Sequence, residues 1–355
     1  MPNLNYSLIP RPYKDPASPA CVVQPSMRGK MLSMNLNTAD SWKNKKITVL
    51  AGGVGAARFL YGLQNIHQPD LITAVCNVGD DLLWNGLHIC PDIDTLIYTL
   101  AEVEGDFGWG IQNDSQHTLD ELEALGEERW FQIGNRDLAT HLIRNRVLQT
   151  GGTLTDATQV IADARNIKSR IIPATDDPHP TFVVTNEGRL SFQQYFVERR
   201  GEPQVYKFEF PNLENVRPAP GVIDAIRNTD YLFIAPSNPF VSIDPIIQIP
   251  TVRNSILESR ALRVGVSPIV GGKAIKGPAG AMLESLGHEV SAYGVARIYE
   301  ELVDLFIYDE IDSNLTKKMR SLSINTEYCD TMMVNRKART AVASNIKQLI
   351  TSQLK

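Results

Sequence analysis

Four aspartates lie within a span of fifteen residues, in a stretch that also contains glycine and proline. Carboxylate oxygens are the ligands that Mg²⁺ prefers, and Mg²⁺ completes its shell with water and substrate phosphates. The group therefore predicts a phosphoryl-transfer site with bound Mg²⁺. Its members are Asp80, Asp81, Asp92 and Asp94, in the segments Gly79-Asp80-Asp81 and Pro91-Asp92-Ile93-Asp94.

Two of these aspartates also have a structural explanation. Pro91-Asp92 is a favourable helix start, in which Asp92 caps the helix and Asp94 lies in its first turn, beside the positive end of the helix dipole. Asp80 and Asp81 have less structural reason to be adjacent in a glycine loop. Capping and metal binding both stay open for Asp92 and Asp94.

A glycine cluster follows the first apolar run, in the stretch ITVLAGGVGAARFLYGL at 47–63. A strand, a glycine turn and a helix together present backbone N–H groups to a phosphate at the helix N-terminus. The cluster predicts phosphate binding, and a tight turn without a ligand is the alternative. The predicted residues are Gly52, Gly53, Val54 and Gly55.

The glycine cluster departs from the dinucleotide-binding fingerprint G-x-G-x-x-G. Arg58 occupies the position of the last small residue, and Asn77 stands where an acid for the ribose is expected. The sequence also contains no G-x-x-x-x-G-K-[ST] motif. A nicotinamide-dependent enzyme and a P-loop nucleotidase are therefore both disfavoured.

The glycine and aspartate motifs both follow apolar runs, as do two later polar loops. Ligands bind outside the carboxyl ends of the strands in an open parallel sheet. Short apolar runs that alternate with helical patterns predict an α/β fold with a doubly wound, mostly parallel, Rossmann-like sheet, and they place the polar loops at its ligand-binding edge. The predicted strands are 47–51, 71–76, 231–235 and 262–266. The predicted helices are 55–65, 92–101, 137–149, 155–164, 221–228, 251–258, 279–286, 295–302 and 336–350.

A smaller, β-containing inserted subdomain is predicted within this core. Strand-like alternation at 181–185 and 190–196 predicts a hairpin, and 204–210 adds a further extended segment. These segments interrupt the α/β pattern. The predicted domain boundaries are therefore 165–218 for the inserted subdomain, and 45–164 and 219–355 for the Rossmann-like core.

Further polar and aromatic residues are candidates for substrate binding. Trp109 can stack on a flat ring, with Asn113 in the same loop, and Arg136 at a helix start can meet a phosphate. Core packing or a solvated helix start is the alternative for these residues. On the later strand-end loops, hydroxyl and amide groups can read a base and lysines can neutralise phosphate. These later candidates are Ser237, Asn238, Ser267, Lys273 and Lys276, and weaker ones are His117, His141 and the turn Asp176-Asp177-Pro178-His179.

Composition disfavours several classes of protein. Thirty-five Lys and Arg against forty Asp and Glu give a formal charge of −5 without a basic stripe, so we expect no nucleic-acid partner. The four cysteines form no C-x-x-C pair, which argues against a zinc site or a disulfide framework. No run approaches the roughly 18 apolar residues of a membrane span, and the first 44 residues lack the apolar region of a secretory signal. We expect a soluble cytoplasmic protein in which residues 1–44 are a flexible N-terminal extension or reflect a misassigned start codon.

Five long segments occur along the chain in the order AGGVGAARFLYGL, NVGDDLLWNGLHICPDIDTLIYTL, GNRDLATHLI, APSNPFVSIDPIIQIP and SPIVGGKAIKGPAG. Together they resemble the CofD/FbiA family, the phospholactate or phosphoenolpyruvate transferases of coenzyme F-420 biosynthesis. The likeness extends from about Lys46 to Asp312. The resemblance also implies a homodimer.

The resemblance implies a specific reaction. Family members join the deazaflavin FO (7,8-didemethyl-8-hydroxy-5-deazariboflavin) to a three-carbon phospho-acid that is activated as a guanylyl diphosphate, and they release GMP. The terminal ribityl hydroxyl of FO attacks the phosphorus nearer the three-carbon acid. That acid is 2-phospho-L-lactate, phosphoenolpyruvate or 3-phospho-D-glycerate, and the sequence does not choose among them.

This reaction gives each candidate residue a hypothetical role. Phosphoryl-type displacement needs in-line positioning, charge neutralisation and a group that accepts the hydroxyl proton. Mg²⁺ binding and hydroxyl activation are assigned to the four aspartates, with Asp81 and Asp92 as catalytic residues and Asp81 in contact with FO. Residues 52–55 cradle the diphosphate. The remaining substrate-binding assignments are Asn77, Trp109, Asn113, Arg136, Ser237, Asn238, Ser267, Lys273 and Lys276.

Two other functions stay open. One is an NAD(P)-dependent oxidoreductase that uses Gly53–Gly55, which Arg58 and the missing ribose acid disfavour. The other is a non-catalytic protein that binds a deazaflavin or a nucleotide. A carboxylate cluster suited to Mg²⁺ is hard to explain in such a protein.

Overall fold

The computed structural model describes residues 42–106, 108–275 and 277–353. The predicted extension at 1–44 therefore lies outside the described residues except for 42–44. Trp42, within that short part, is buried against Tyr231, and the two ring centroids are 4.6 Å apart. The chain is thus anchored to the core just before the first strand begins.

Strands and helices alternate along most of the described chain. The strands are β1 (Ile47–Ala51), β2 (Ile72–Cys76), β3 (Leu82–Trp84), β4 (Leu87–Ile89), β5 (Arg170–Pro173), β6 (Phe182–Thr185), β7 (Gly188–Ser191), β8 (Val205–Glu209), β9 (Tyr231–Ile234), β10 (Leu262–Val266), β11 (Ile269–Val270), β12 (Lys273–Ala274), β13 (Leu305–Asp309) and β14 (Asn325–Cys329). The helices are α1 (Gly53–Ile66), α2 (Pro91–Leu100), α3 (His117–Ala124), α4 (Asn135–Gln149), α5 (Leu154–Ala164), α6 (Val222–Arg227), α7 (Asp244–Gln248), α8 (Val252–Glu258), α9 (Ala279–Ser285), α10 (Ala292–Tyr299), α11 (Thr316–Met319) and α12 (Arg336–Gln353).

Seven strands form one parallel sheet in the order β14-β13-β10-β9-β1-β2-β5. The chain adds β2 and β5 on one side of β1, and β9, β10, β13 and β14 on the other. The strand order therefore reverses between β1 and β9, which pair directly. This confirms the predicted doubly wound parallel sheet. Ligands bind at such a reversal, outside the carboxyl ends of the strands.

The central strand β1 joins two cores because successive side chains point to opposite faces of a sheet. Ile47, Val49 and Ala51 pack on one face, among residues of α1, α2 and α12. Leu50 packs on the other face, among residues of α6, α8 and α10. A strand that is buried on both faces explains the uninterrupted apolar run in the sequence.

The predicted helices are all present, with ends that differ by at most three residues. The elements that the sequence did not predict are mostly short, as for α3, α7, α11 and β5, or lie in the last fifth of the chain, as for β13 and β14. None of the helices in the described ranges has the length and apolar character needed to cross a membrane.

A small antiparallel sheet, in the order β7-β6-β8, lies within the range predicted for the inserted subdomain. β5 falls in the same range of 165–218, but it pairs with β2 in the large sheet. The second hairpin strand, predicted at 190–196, ends at Ser191. Ser191 Oγ accepts from Gln194 N at 3.2 Å and Gln194 Oε1 accepts from Ser191 N at 3.0 Å, a reciprocal cap that starts a helical turn.

Candidate active site

A cleft of about 820 Å³ lies at the carboxyl ends of β1, β2 and β9, at the reversal of strand order. Both sequence motifs reach it, since the glycine turn 52–55 lines it together with Asp80, Asp92 and Asp94. The rest of the lining comes mainly from residues 89–98, 105–106, 109–116, 131–134, 137, 141, 192–197, 236–242, 268, 275 and 277–279.

Two positions of the glycine turn pack too closely against their neighbours to carry a side chain. A Cβ on Gly52 would lie 2.6 Å from Asp92 Oδ2, and one on Gly55 would lie 2.1 Å from the carbonyl oxygen of Pro236. Gly53 has a φ of +71°, in the region that favours glycine. The two motifs are therefore in direct contact, and packing against the loop after β9 accounts for the glycines.

The aspartate loop is shaped by Asn77, the first residue after β2. Its Oδ1 accepts from the N–H of Gly79 at 2.9 Å, which closes the turn that precedes Asp80. Its Nδ2 donates to Asp92 Oδ2 at 2.9 Å and to the carbonyl of Val241 at 3.1 Å. Asn77 does not line the cleft, although it is predicted to bind substrate. It holds Asp92 against the glycine turn.

Three of the four aspartates have a buried oxygen without a hydrogen-bond partner among the described residues: Asp80 Oδ1, Asp81 Oδ1 and Asp94 Oδ2. Gln193 Nε2 donates to the carbonyl of Asp80 at 2.9 Å, and His88 Nε2 donates to Asp81 Oδ2 at 3.0 Å. Asp81 lies beside the cleft lining, near His88 and Cys90, with one ligand atom of each within 4.8 Å of the others.

Burial raises the pKa of the side chains of Asp80, Asp81 and Asp92. Burial and then the charges of Asp92 and Asp81 raise the pKa of Asp80 well above its usual value. Burial raises the pKa of Asp81 despite its contact with His88. Burial raises the pKa of Asp92 to about 7, against the effect of hydrogen bonds from Asn77 and from the N–H of Gly53. Negative charge is therefore costly at this site unless a cation shares it.

The carboxylates of Asp80, Asp81 and Asp92 are of the type that a hard divalent cation takes, and Asp80 Oδ1 and Asp81 Oδ1 are buried without partners among the described residues. Mg²⁺ uses one or two such carboxylates together with water and substrate phosphates. The three side chains do not gather their oxygens within 4.8 Å of one another, whereas Asp81 is grouped in this way with His88 and Cys90.

Asp94 differs because a buried cation already pairs with it. Arg144 of α4 is fully buried and donates from its NH2 group to Asp94 Oδ1. Arg144 NH1 also lies 3.2 Å from His141 Nδ1, and His141 Nε2 lies 3.4 Å from Asp137 Oδ1. The Asp94 charge is neutralised by Arg144, so Asp94 is the least suited of the four to hold Mg²⁺.

The other predicted residues fall into two groups. Trp109, Asn113, Ser237 and Asn238 line the cleft. Ser237 Oγ donates to the carbonyl of Gly52 at 2.7 Å, so it ties the glycine turn to the loop after β9. Asn238 Oδ1 accepts from the N–H of Phe240 at 3.0 Å.

The described members of the second group, Arg136, Ser267 and Lys273, do not line the cleft. Arg136 donates to the carbonyl of Gln112 at 2.7 Å, and Ser267 Oγ donates to the carbonyl of Ile269 at 2.9 Å within a tight turn. Lys273 is exposed on β12. Lys276 lies outside the described residues. The weaker candidate His179 is buried, and its Nε2 donates to the carbonyl of Pro245 at 2.9 Å.

The sequence did not predict several residues of the cleft. Phe192 and Phe196 line it with parallel rings, 5.6 Å apart between centroids, and Gln193 lies between them in the chain. Their i,i+4 spacing is typical of a helical turn and could have indicated that both rings lie on one face. Arg58 also lines the cleft. Its place in the glycine motif argued against a dinucleotide site, and no role in the cleft was predicted for it.

Comparison with known proteins agrees with this geometry. The family model described as 2-phospho-L-lactate transferase CofD matches residues 47–347. A 2-phospho-L-lactate transferase of Methanosarcina mazei is 34% identical over 301 residues, covering 84% of this chain and 99% of that protein. A phosphoenolpyruvate transferase of Mycobacterium sp. (strain JLS) is 40% identical over 275 residues, covering 72% of this chain and 83% of that protein.

Solved structures show the same fold. A crystal structure of a UPF0052-family protein from Bacillus halodurans matches with a TM-score of 0.59 at 16% sequence identity, covering 86% of this chain and 99% of that one. At this identity the likeness concerns the fold alone. Since the family model covers most of the sequence and the two curated relatives match at 34% and 40% identity, the chain belongs to the CofD family of transferases.

Proposed function

We propose that this CofD-family transferase joins FO to a three-carbon phospho-acid carried as its guanylyl diphosphate, with release of GMP, in coenzyme F-420 biosynthesis. The observation that carries the proposal is the contact between the glycine turn and the buried carboxylates in one cleft. Relatives named for 2-phospho-L-lactate and for phosphoenolpyruvate match at comparable identity. The acid therefore stays open among these two and 3-phospho-D-glycerate.

The residues around the cleft support a displacement at phosphorus. The terminal ribityl oxygen of FO forms a bond to the phosphorus nearer the acid, the bond from that phosphorus to GMP breaks, and the hydroxyl proton passes to a carboxylate. Asp92 suits this acceptor role, because it lines the cleft and burial raises its pKa to about 7. Asn77 orients it through the 2.9 Å hydrogen bond. The backbone of 52–55 lies against the same carboxylate and is our proposed diphosphate cradle.

Asp80 and Asp81 would hold Mg²⁺, which when bound would neutralise charge on the diphosphate, so that Asp92 keeps the acceptor role. Trp109, Phe192 and Phe196 offer aromatic surface for the flat ring of FO. The proposed contact of Asp81 with FO rests on the family resemblance, since its side chain is 12% exposed and hydrogen-bonded to His88.

The proposal is tested by incubating the purified chain with FO, GTP, Mg²⁺, each phospho-acid and the guanylyltransferase that activates it. Mass spectrometry then follows the phosphodiester product and GMP. We expect product with at least one acid and none without Mg²⁺. Binding of FO without any product would instead favour the non-catalytic alternative.

Matched variants test the carboxylates. Asp92→Asn should lower kcat by about 100-fold or more, in the range for loss of a proton acceptor. Asp81→Asn should lower turnover as well, because it removes a proposed Mg²⁺ ligand. Asp163→Asn, which changes an exposed aspartate of α5, should leave turnover unchanged. Near-wild-type turnover of both active-site variants at saturating Mg²⁺ would contradict the assignment.

We also propose that the chain acts as a homodimer in the cytoplasm. Light scattering of the purified protein should give twice the mass of one chain. A monomeric mass at the concentration of the assay would contradict the dimer.

A further inference from the structure

The lining of the cleft is acidic, and among the described residues it contains one guanidinium. Six aspartates line the cleft: Asp80, Asp92, Asp94, Asp106, Asp114 and Asp137. Arg58 is the one Arg or Lys among the described lining residues. It lies on α1, three positions after Gly55, so it faces the cleft next to the glycine turn.

The Arg58 guanidinium is poorly satisfied by the protein. Its NH1 donates to the carbonyl of Met333 over a long 3.4 Å, and its Nε is buried without a partner. It forms no ion pair with any residue in the described part of the chain. A buried or half-buried cation normally has a carboxylate or several acceptors around it.

Glu104, the acid whose charge acts on Arg58, is already occupied. Glu104 accepts from Arg339 at 2.8 Å, and Arg336 is 3.4 Å from its other oxygen. Burial and then the positive charge of Arg339 lower the pKa of Arg58, and Glu104 offsets this only in part. The surroundings therefore disfavour the charge that an Arg always carries, and an anion from outside the protein would relieve the cost.

We propose that Arg58 binds an oxyanion of the substrate beside the glycine turn. Guanidinium groups bind phosphates and carboxylates through two parallel hydrogen bonds. The inference rests on the proposed function, since a guanylyl diphosphate of a phospho-acid carries both kinds of oxyanion. It assigns to Arg58 the phosphate-neutralising role that the sequence suggested for Lys273 and Lys276.

Calorimetric titration of the purified chain tests the proposal without any turnover. The probes are GDP and phosphoenolpyruvate, each in the presence of Mg²⁺. Arg58→Gln should raise the Kd of at least one probe by tenfold or more, and Arg58→Lys should retain part of the affinity. The control is Arg336→Gln, which removes the exposed guanidinium of a residue outside the cleft lining. It should leave both Kd values unchanged.

The two probes identify the source of the oxyanion. A loss confined to GDP places the guanidinium on the diphosphate, and a loss confined to phosphoenolpyruvate places it on the three-carbon acid. Unchanged affinity of Arg58→Gln for both probes would overturn the proposal. A failure of FO transfer in the mass assay is a separate result, because these titrations contain no FO.

Thermal unfolding without ligand separates binding from a structural role. Arg58→Gln removes a poorly paired cation, so its Tm should equal or exceed that of the wild type. An Arg58 that served only to stabilise the fold would show the opposite pattern, with a lower Tm and unchanged Kd values.

Discussion

At the scale of single residues, Asp94 shows how a partner from another element changes the role of a side chain. Its spacing within the aspartate motif suits a metal ligand, yet Arg144 of α4 reaches it in the core. Both side chains are almost fully buried. A buried pair whose charges compensate each other is costly to break from one side, because the remaining charge stays desolvated.

Arg144→Met tests this pair. The variant leaves the buried Asp94 unpaired, so the free energy of unfolding should fall by about 3–5 kcal/mol. Urea denaturation followed by circular dichroism measures the change.

The matched control is Arg253→Met, which removes an exposed partner of Glu301. It should cost about 1 kcal/mol or less. The double variant Asp94→Asn with Arg144→Met should recover part of the loss. Equal losses for Arg144→Met and Arg253→Met would show that the buried pair contributes no more than a surface pair.

At the scale of elements, helix α12 packs against helix α1 and stabilises it. α12 packs against α1 so closely that a Cβ on Gly62 would lie 2.2 Å from the carbonyl oxygen of Arg339. α12 also brings Arg339 to Glu104 at 2.8 Å. The C-terminal helix therefore supports the helix that carries the glycine turn and Arg58.

Gly62→Ala tests this contact. The added methyl forces α1 and α12 apart, and we expect a loss of about 1–3 kcal/mol, the usual cost of overpacking. Chemical denaturation measures it.

Gly280→Ala in α9 is the control, because the new Cβ would meet Val290 Cγ1 at an ordinary 3.5 Å. It should be neutral or stabilise by about 0.5–1 kcal/mol through helix propensity. If Gly62→Ala behaved like the control, the close packing of α12 on α1 would be wrong.

At the scale of the whole molecule, buried histidines oppose folding in acid. Burial lowers the pKa of His179 and of His67, against smaller opposing effects of their hydrogen bonds to backbone carbonyls. An unfolded histidine has a pKa near 6.5, so acidification below about pH 6.5 protonates these two side chains in the unfolded chain first and lowers their contribution to stability. Asp92 acts in the opposite direction, because burial raises its pKa to about 7 and the folded carboxyl takes up a proton that the unfolded one does not.

His179→Gln should remove its part of this effect. The amide keeps a donor for the carbonyl of Pro245 but cannot take up a proton. Between pH 7.5 and 5.5, urea denaturation should show a change in the free energy of unfolding that favours the folded state more in the variant than in the wild type, with the contributions of His67 and Asp92 unchanged. His117→Gln, at an exposed position of α3, should keep the wild-type difference. A pH dependence unchanged by His179→Gln would contradict the assignment.

The sequence predicted the parallel sheet, nine of the helices and the two motifs at the edge of the sheet, because each is encoded within a few neighbouring residues. Apolar runs and helical spacing state which face of an element is buried. The glycine turn and the aspartate loop then follow from the strands that end before them. Short elements such as α7 and the helical turn after Ser191 were not predicted from the sequence, because they depend on caps made by only two or three side chains.

Only the tertiary structure decided which partners the side chains of the motifs contact. Asp94 meets Arg144 across 50 residues of sequence, and Gln193 meets Asp80 across 113. The same folding turned Asn77 toward Asp92 and placed Arg58 in the cleft. Local patterns determine which side of an element is buried, whereas the partner of a buried charge depends on how distant elements pack, and no spacing along the chain records that.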